Sequence, residues 1–170
     1  MKSIGILFVC TGNICRSPVA EATFAQLAKE QGVAHHFRWD SAATHAYHTG
    51  SLADERARQN AQSHGLTLTH KARKLSGEDF ARFDYIVAMD EGHLRIIQNL
   101  HHKTCGFVPN DETVFLLREF DADGAEFDVP DPYYEDYQAF ENVYQIVLRC
   151  NRQLLAYLLE KHFSNQIVKK

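Results

Sequence analysis

The hydrophobic pattern changes period between Val9 and Pro18, and that change divides a strand from a helix. Ile4-Gly5-Ile6-Leu7-Phe8-Val9 is a short continuous apolar run, the mark of a strand covered on both faces. It predicts a strand over residues 3–9. From Pro18 onward, Val19, Ala22 or Thr23, Gln26 and Leu27 recur at helical spacing until Gly32, so residues 18–31 read as a helix. Further along, residues 37–41 predict a short strand, 54–64 a helix closed by Gly65, and 72–75 a short connector or strand. Residues 77–82 read as a turn of helix, 85–88 as an apolar core strand, 92–100 as a helix and 112–116 as a fourth strand. A long helix over 137–161 is expected to bury Phe140, Tyr144, Val147, Leu154 and Leu158. Alternating β and α segments imply a single α/β domain over residues 1–170. The expected architecture is a doubly wound, four-stranded parallel sheet with helices on both faces. Ligands of such sheets bind outside the strand C-termini.

Chemistry concentrates where the period changes. Cys10 ends the first strand, and Thr11-Gly12-Asn13-Ile14-Cys15 leads to Arg16-Ser17-Pro18 at the start of the helix. Gly12 and Asn13 tolerate positive φ, so the five residues are expected to curl with their N–H groups inward as a nest for phosphoryl oxygens. Ser17 suits an N-cap and Pro18 the first helical position. The helix then aims the positive end of its dipole at the same point. Arg16 adds a planar fork for two phosphate oxygens. These positive groups are expected to hold Cys10 as a thiolate, with Ser17 Oγ donating to the sulfur. The bare Cys-x5-Arg-Ser pattern is weak; the strand before it and the helix after it raise its value. Zinc binding by Cys10 and Cys15 is set aside, because no second ligand pair follows at a metal-site spacing.

A thiolate attacking a phosphate monoester needs a general acid at the leaving oxygen. Residues 128–136 read Asp-Val-Pro-Asp-Pro-Tyr-Tyr-Glu-Asp. Asp131 is the candidate, stiffened by Pro130 and Pro132 on either side; Asp128 lacks that bracket and ranks second. Tyr133 and Tyr134 are expected to wall a flat apolar pocket and to shield the acid. Blander readings serve elsewhere. His101-His102-x-x-Cys105 is expected to be an exposed loop, Cys105 and Cys150 are expected to be packed, and Asp90 is expected to pair with Arg56 or Arg58.

The loop at residues 9–18 together with Asp131-Pro132-Tyr133-Tyr134 resembles the low-molecular-weight protein tyrosine phosphatases. Ser41-Ala42-Ala43-Thr44 and the segment from Phe83 to Asp90 resemble further family segments, so the likeness spans nearly the whole chain. The resemblance implies that Cys10 is the nucleophile, that Arg16 binds the phosphate and transition state, and that Asp131 is acid and then base. It implies that Asn13 and Ser17 shape the loop, with Glu21 and His70 behind Asn13, and that Tyr47 and His48 line the pocket mouth. It also implies that Cys15 pairs with Cys10 under oxidation. Phosphotyrosine-containing proteins would be substrates and a tyrosine kinase a partner, with no metal or cofactor, in a monomer or weak homodimer. The segment from His101 to Glu126 departs from the family pattern. A sister branch, the protein arginine phosphatases, resembles this loop with a small polar residue at position 14. The branched apolar Ile14 suits a phenyl ring better than a guanidinium.

Composition narrows the classes further. The 170 residues carry a net charge of −4, which gives no general attraction to nucleic acid or anionic membrane. No apolar run reaches membrane length, and no signal-like run is expected at the N-terminus. Four cysteines without a disulfide-scaffold spacing fit a reducing cytoplasm. Two other readings stay open: a thiol-dependent arsenate reductase on the same fold, which would need Cys105 or Cys150 as relay, and a module that binds phosphotyrosine without turnover.

Overall fold

The computed structural model describes residues 2–124 and 126–167. Strand β1 (Ile4–Cys10) lies between β2 (Phe37–Ala43) and β3 (Tyr85–Ala88), and β4 (Val114–Leu116) pairs with β3. The sheet is all parallel in the order β2-β1-β3-β4. Because the chain leaves β1 first to one side and later to the other, the strand order reverses beside β1. That crevice is where open α/β sheets bind their ligands. Among the described residues, five α-helices complete the fold: α1 (Arg16–Glu30), α2 (Glu55–Ser63), α3 (Asp79–Arg82), α4 (Glu91–Cys105) and α5 (Tyr137–Ile167).

The apolar run of β1 serves two cores because strand side chains alternate. Ile6 and Phe8 pack with Phe24 and Ala28 of α1, Ala57 and Ala61 of α2, and Val147, Leu154 and Leu158 of α5. Leu7 and Val9 face the other way, against Ile86, Ala88, Leu116 and Ile97 of α4. Phe24 is fully buried, with ring centroids 5.9 Å from Phe8, 5.4 Å from Phe37 and 6.4 Å from Trp39. This double-sided clamp fixes where β1 ends, and so fixes Cys10.

Three local expectations are corrected. Helix α1 begins at Arg16, with Cys15 as its N-cap, so Ser17 lies inside the helix and does not cap it. Helix α4 does not stop at residue 100. Its last turn is the His101-His102-x-x-Cys105 segment, closed by Gly106 at φ 86° with its N–H on the His102 carbonyl. That turn is polar except for Cys105, so the apolar period fades while the hydrogen bonds continue. Cys105 is exposed there, whereas Cys150 is buried as expected. Residues 72–75 form a connector that touches β2 through an Ala43–Lys74 bridge.

Phe24→Ala removes the ring that joins β1, β2 and α1. It should destabilise the fold by about 3–5 kcal/mol, read as a lower urea midpoint with unchanged slope.

Candidate active site

The loop after β1 is held open from outside. The carbonyls of Cys10, Thr11 and Ile14 accept the N–H groups of Thr44, His45 and Asp54 at 2.8, 3.0 and 2.8 Å. Among the described residues, no N–H of residues 11–15 donates to a backbone carbonyl. With its carbonyls turned out, the loop leaves its donors for an anion. The N-cap Cys15 carries no side-chain cap, so the first N–H groups of α1 and its dipole add to the same point. Asn13 takes the left-handed conformation at φ 58°, and Gly12 does not have a positive φ. Gly12 leaves room for the His48 ring: a Cβ there would stand 3.0 Å from His48 Cδ2, so the imidazole would have to shift by a few tenths of an ångström.

Asn13 is 1% exposed and fully satisfied. Its Nδ2 donates to Ser17 Oγ at 2.8 Å and Ser41 Oγ at 2.9 Å. Its Oδ1 accepts from His70 Nε2 at 2.7 Å and the Arg73 N–H at 3.1 Å. Ser17 Oγ in turn lies 3.0 Å from Cys10 Sγ. Since His70 gives its Nε2 proton to Asn13, and burial holds the ring below its usual pKa, a neutral ring leaves Nδ1 as an acceptor. That atom sits 3.3 Å from Asp40 Oδ1 and 3.5 Å from Glu21 Oε1. Burial, then the Asp40 charge, pushes Glu21 up to about 8, so Glu21 keeps a proton that the crowded carboxylates and His70 can share. Glu21, Asp40 and His70 also bring three ligand-type atoms within 4.8 Å. They lie behind the loop, and Arg73 pairs with Asp40 at 3.0 Å.

In front of the loop, a cavity of about 240 Å³ is lined by Cys10, Thr11, Gly12, Ile14, Cys15, Arg16, Tyr47, His48, Asp131, Tyr133 and Tyr134. The expected nucleophile, arginine, acid and wall residues therefore meet in one place, with Asn13, Ser17, Glu21 and His70 behind them. Cys10 is 2% and Arg16 3% exposed. Arg16 Nη1 donates to Asp90 Oδ2 at 3.0 Å and to the Val129 carbonyl at 3.1 Å. Its Nη2 reaches Thr11 Oγ1 at 3.5 Å and lies 3.7 Å from Asp131 Oδ2. Burial pushes the Cys15 thiol far above its ordinary range, helped by the Asp54 charge, so Cys15 stays protonated. Both cysteines are free thiols.

Asp131 is presented differently. Its side chain is half exposed, its Oδ1 accepts the Tyr133 N–H at 3.1 Å, and Tyr134 is 90% exposed. The tyrosines thus flank the acid and do not cover it as expected. Asp128 is directed elsewhere: its Oδ1 accepts the Glu91 N–H at 2.9 Å, at the start of α4.

Sequence reasoning missed three residues around this cavity. Asp90 pairs with Arg16, not with Arg56 or Arg58, because the C-terminal end of β3 lies beside that of β1. Although burial works against it, the His93 backbone N–H and the Arg16 guanidinium hold Asp90 below the usual carboxylate range. The available signal was an aspartate at a strand end before a helix; Asp90 N-caps α4 through His93 N at 2.8 Å. His93 itself, 3% exposed, meets Thr11 Oγ1 at 2.7 Å. Burial, then Arg16, pushes it down to about 4. Arg56 straps the acid loop: it donates to the Tyr133 carbonyl at 2.9 Å, stacks 4.6 Å from the Phe140 ring, and pairs with Asp54 at 3.1 Å.

Residues 5–165 match the family described as low molecular weight phosphotyrosine protein phosphatase. The human low molecular weight phosphotyrosine protein phosphatase is 42% identical over 152 residues, covering 88% of this chain and 92% of that one. A protein tyrosine phosphatase structure from Entamoeba histolytica superposes with a TM-score of 0.86 at 33% identity, covering 94% of this chain and 99% of that one. The structure of a Drosophila arginine phosphatase superposes at 0.84 with 28% identity, covering 90% and 96%.

Two outcomes follow from this geometry. Glu21 binds a proton in the folded state that it releases when unfolded, so stability should fall as pH rises from about 4.5 to about 8 and level off above. Thermal melts across that window should show the decline, and Glu21→Gln should flatten it. Arg56→Ala should speed hydrogen exchange in residues 131–136 with little change in the exchange of β1.

Proposed function

Because the chain belongs to the low molecular weight phosphotyrosine protein phosphatase family, we propose that it hydrolyses phosphotyrosine in proteins through a phosphorylated Cys10. The observation that carries this reading is the convergence of Cys10, Arg16 and Asp131 on one cavity. The Cys10 thiolate attacks phosphorus, forming an S–P bond as the P–O bond to the aryl group breaks. Asp131 gives its proton to the departing phenoxide. Water then attacks the phosphorus, Asp131 takes a proton from it, and the sulfur leaves as thiolate beside Ser17 Oγ while phosphate is released. Through both steps Arg16 and the loop N–H groups hold the equatorial oxygens, where charge develops. The roles of Asn13, Ser17, Glu21 and His70 are structural in this scheme: they keep the loop in the shape that binds three oxygens.

Ile14 with Tyr47, His48, Tyr133 and Tyr134 offers apolar faces that suit a phenyl ring. The arginine phosphatase neighbour shows that this fold alone does not select tyrosine, so the preference rests on those side chains. A thiol relay is disfavoured, since Cys150 is buried in the core and Cys105 ends α4, and neither lines the cavity. The protein acts, in this proposal, in the cytoplasm on phosphotyrosine proteins, opposite a tyrosine kinase. No described helix is long and apolar enough to cross a membrane.

With an aryl phosphate and a chelator present, turnover should persist in the native protein and vanish in Cys10→Ser. Asp131→Ala should lower kcat by about 10²–10⁴-fold, and less for a substrate whose leaving group needs no proton. Phosphotyrosine peptides should be cleaved faster than phosphoarginine peptides; the reverse order would move the chain to the other branch. Tight peptide binding without turnover would overturn the enzyme reading.

A further inference from the structure

The arginine at the centre of the cavity is closed into a circuit with three other side chains. Arg16 Nη1 meets Asp90 Oδ2 at 3.0 Å, and Arg16 Nη2 meets Thr11 Oγ1 at 3.5 Å. Thr11 Oγ1 meets His93 Nε2 at 2.7 Å, and His93 Nδ1 returns to within 3.2 Å of Asp90 Oδ1. That last contact is off the line of a hydrogen bond, and His93 Nδ1 has no other partner. The sense of the circuit is set by elimination. Were the proton on Nε2, the Nδ1 lone pair would face a carboxylate oxygen at 3.2 Å, which repels. With the proton on Nδ1, that edge is attractive and Nε2 is free to accept the Thr11 hydroxyl proton. The Thr11 oxygen then turns its lone pairs to Arg16. A doubly protonated ring would reverse the Thr11 hydroxyl and set two cations against each other, and burial with Arg16 nearby disfavours it.

We propose that His93, as its neutral Nδ1–H tautomer, is a positioning residue for phosphate binding: through Thr11 and Asp90 it fixes the Arg16 guanidinium so that its free edge faces the phosphoryl oxygens. The inference rests on the phosphatase reading of the site. Without the His93 ring, Asp90 Oδ1 keeps the backbone N–H of residue 93 at 2.8 Å but loses the imidazole edge, and the Thr11 hydroxyl is released. Arg16, already on Asp90 Oδ2, can then turn further toward Asp90, drawing the fork away from the loop. Arg16 makes its interactions with the transferring group more strongly as charge develops, so the loss should fall on kcat more than on KM.

The circuit can be cut at two points. His93→Leu and Thr11→Val should each weaken binding of inorganic phosphate, measured by calorimetry, and lower kcat by about ten- to a hundredfold, with thermal stability retained. The double variant should be no worse than the more severe single one, because both break the same circuit. His93→Gln, whose amide oxygen can accept from Thr11, should recover part of the loss. Effects that multiply in the double variant, or phosphate bound equally by the native protein and His93→Leu, would overturn the proposal. Phosphate calorimetry needs no turnover, so failure of the phosphatase reading and failure of this inference are read separately.

Discussion

The left-handed turn at Asn13 is the constraint on which the site depends. Such a conformation costs an L-residue about 1–2 kcal/mol, less for asparagine. It persists because the side chain makes four hydrogen bonds, to Ser17, Ser41, His70 and the Arg73 backbone, the two to the serines buried. At about 0.5–1.5 kcal/mol each, they outweigh the strain. The turn reverses the chain between Cys10 and Arg16, and the outward carbonyls are absorbed by Thr44, His45 and Asp54. Two serines, a histidine and four backbone donors thus act on one backbone angle, and the inward-facing N–H groups of the loop are its consequence. The network reaches the sulfur, because Ser17, one of the two serines that accept from Asn13, lies beside Cys10 Sγ. Loop shape and the surroundings of the Cys10 sulfur are therefore one structural unit.

Proton placement behind the loop follows from the same network. Asn13 Oδ1 demands a donor from His70, which leaves the other face of the imidazole toward two carboxyl groups. Two ionised carboxylates beside a neutral imidazole would be unstable in a half-buried site. The raised affinity of Glu21 for a proton resolves the conflict, so the protonation state of a residue outside the cavity is tied to the geometry inside it.

Elements with a strong local signal were legible in the sequence. The apolar run of β1, the glycine and asparagine after it, and the periodic α1 fixed the strand, the turn and the helix within two residues. The paired prolines around Asp131 marked the carboxylate that lines the cavity, while Asp128 is turned to the start of α4. What escaped was pairing across the sheet. Asp90, His93 and Arg56 carry no periodic signature. Their partners lie 74, 82 and 77 residues away in sequence, in Arg16, Thr11 and Tyr133. Periodicity states which face of a segment is buried, not which segment lies against it. From the sequence, Asp90 reads as a partner for Arg56 or Arg58 that would tie down the segment carrying Tyr47; only the adjacency of the β1 and β3 ends decides for Arg16. The end of α4 escaped for the opposite reason, since a polar last turn has the composition of a loop and is helical only because its hydrogen bonds continue to Gly106.

The two charged groups facing the cavity are held in contrasting ways. Arg16 is almost fully buried, anchored on one edge by Asp90 and the Val129 carbonyl, so its charge is oriented before any anion arrives. Burying a guanidinium without partners would be prohibitive; Asp90 makes it tolerable, and the Nη2 edge, with only long contacts to Thr11 at 3.5 Å and Asp131 at 3.7 Å, retains the drive to bind an anion. Asp131 stands half exposed on a loop tied down through the backbone at Tyr133 by Arg56. A group that must stabilise charge benefits from rigidity, since reorganisation would consume the stabilisation. In the proposed reaction, a group that gives a proton to one oxygen and later takes one from water needs solvent within reach. The Val129 carbonyl links the two, because it receives Arg16 two residues before the acid. The acid loop is therefore positioned from the same guanidinium that the loop after β1 presents.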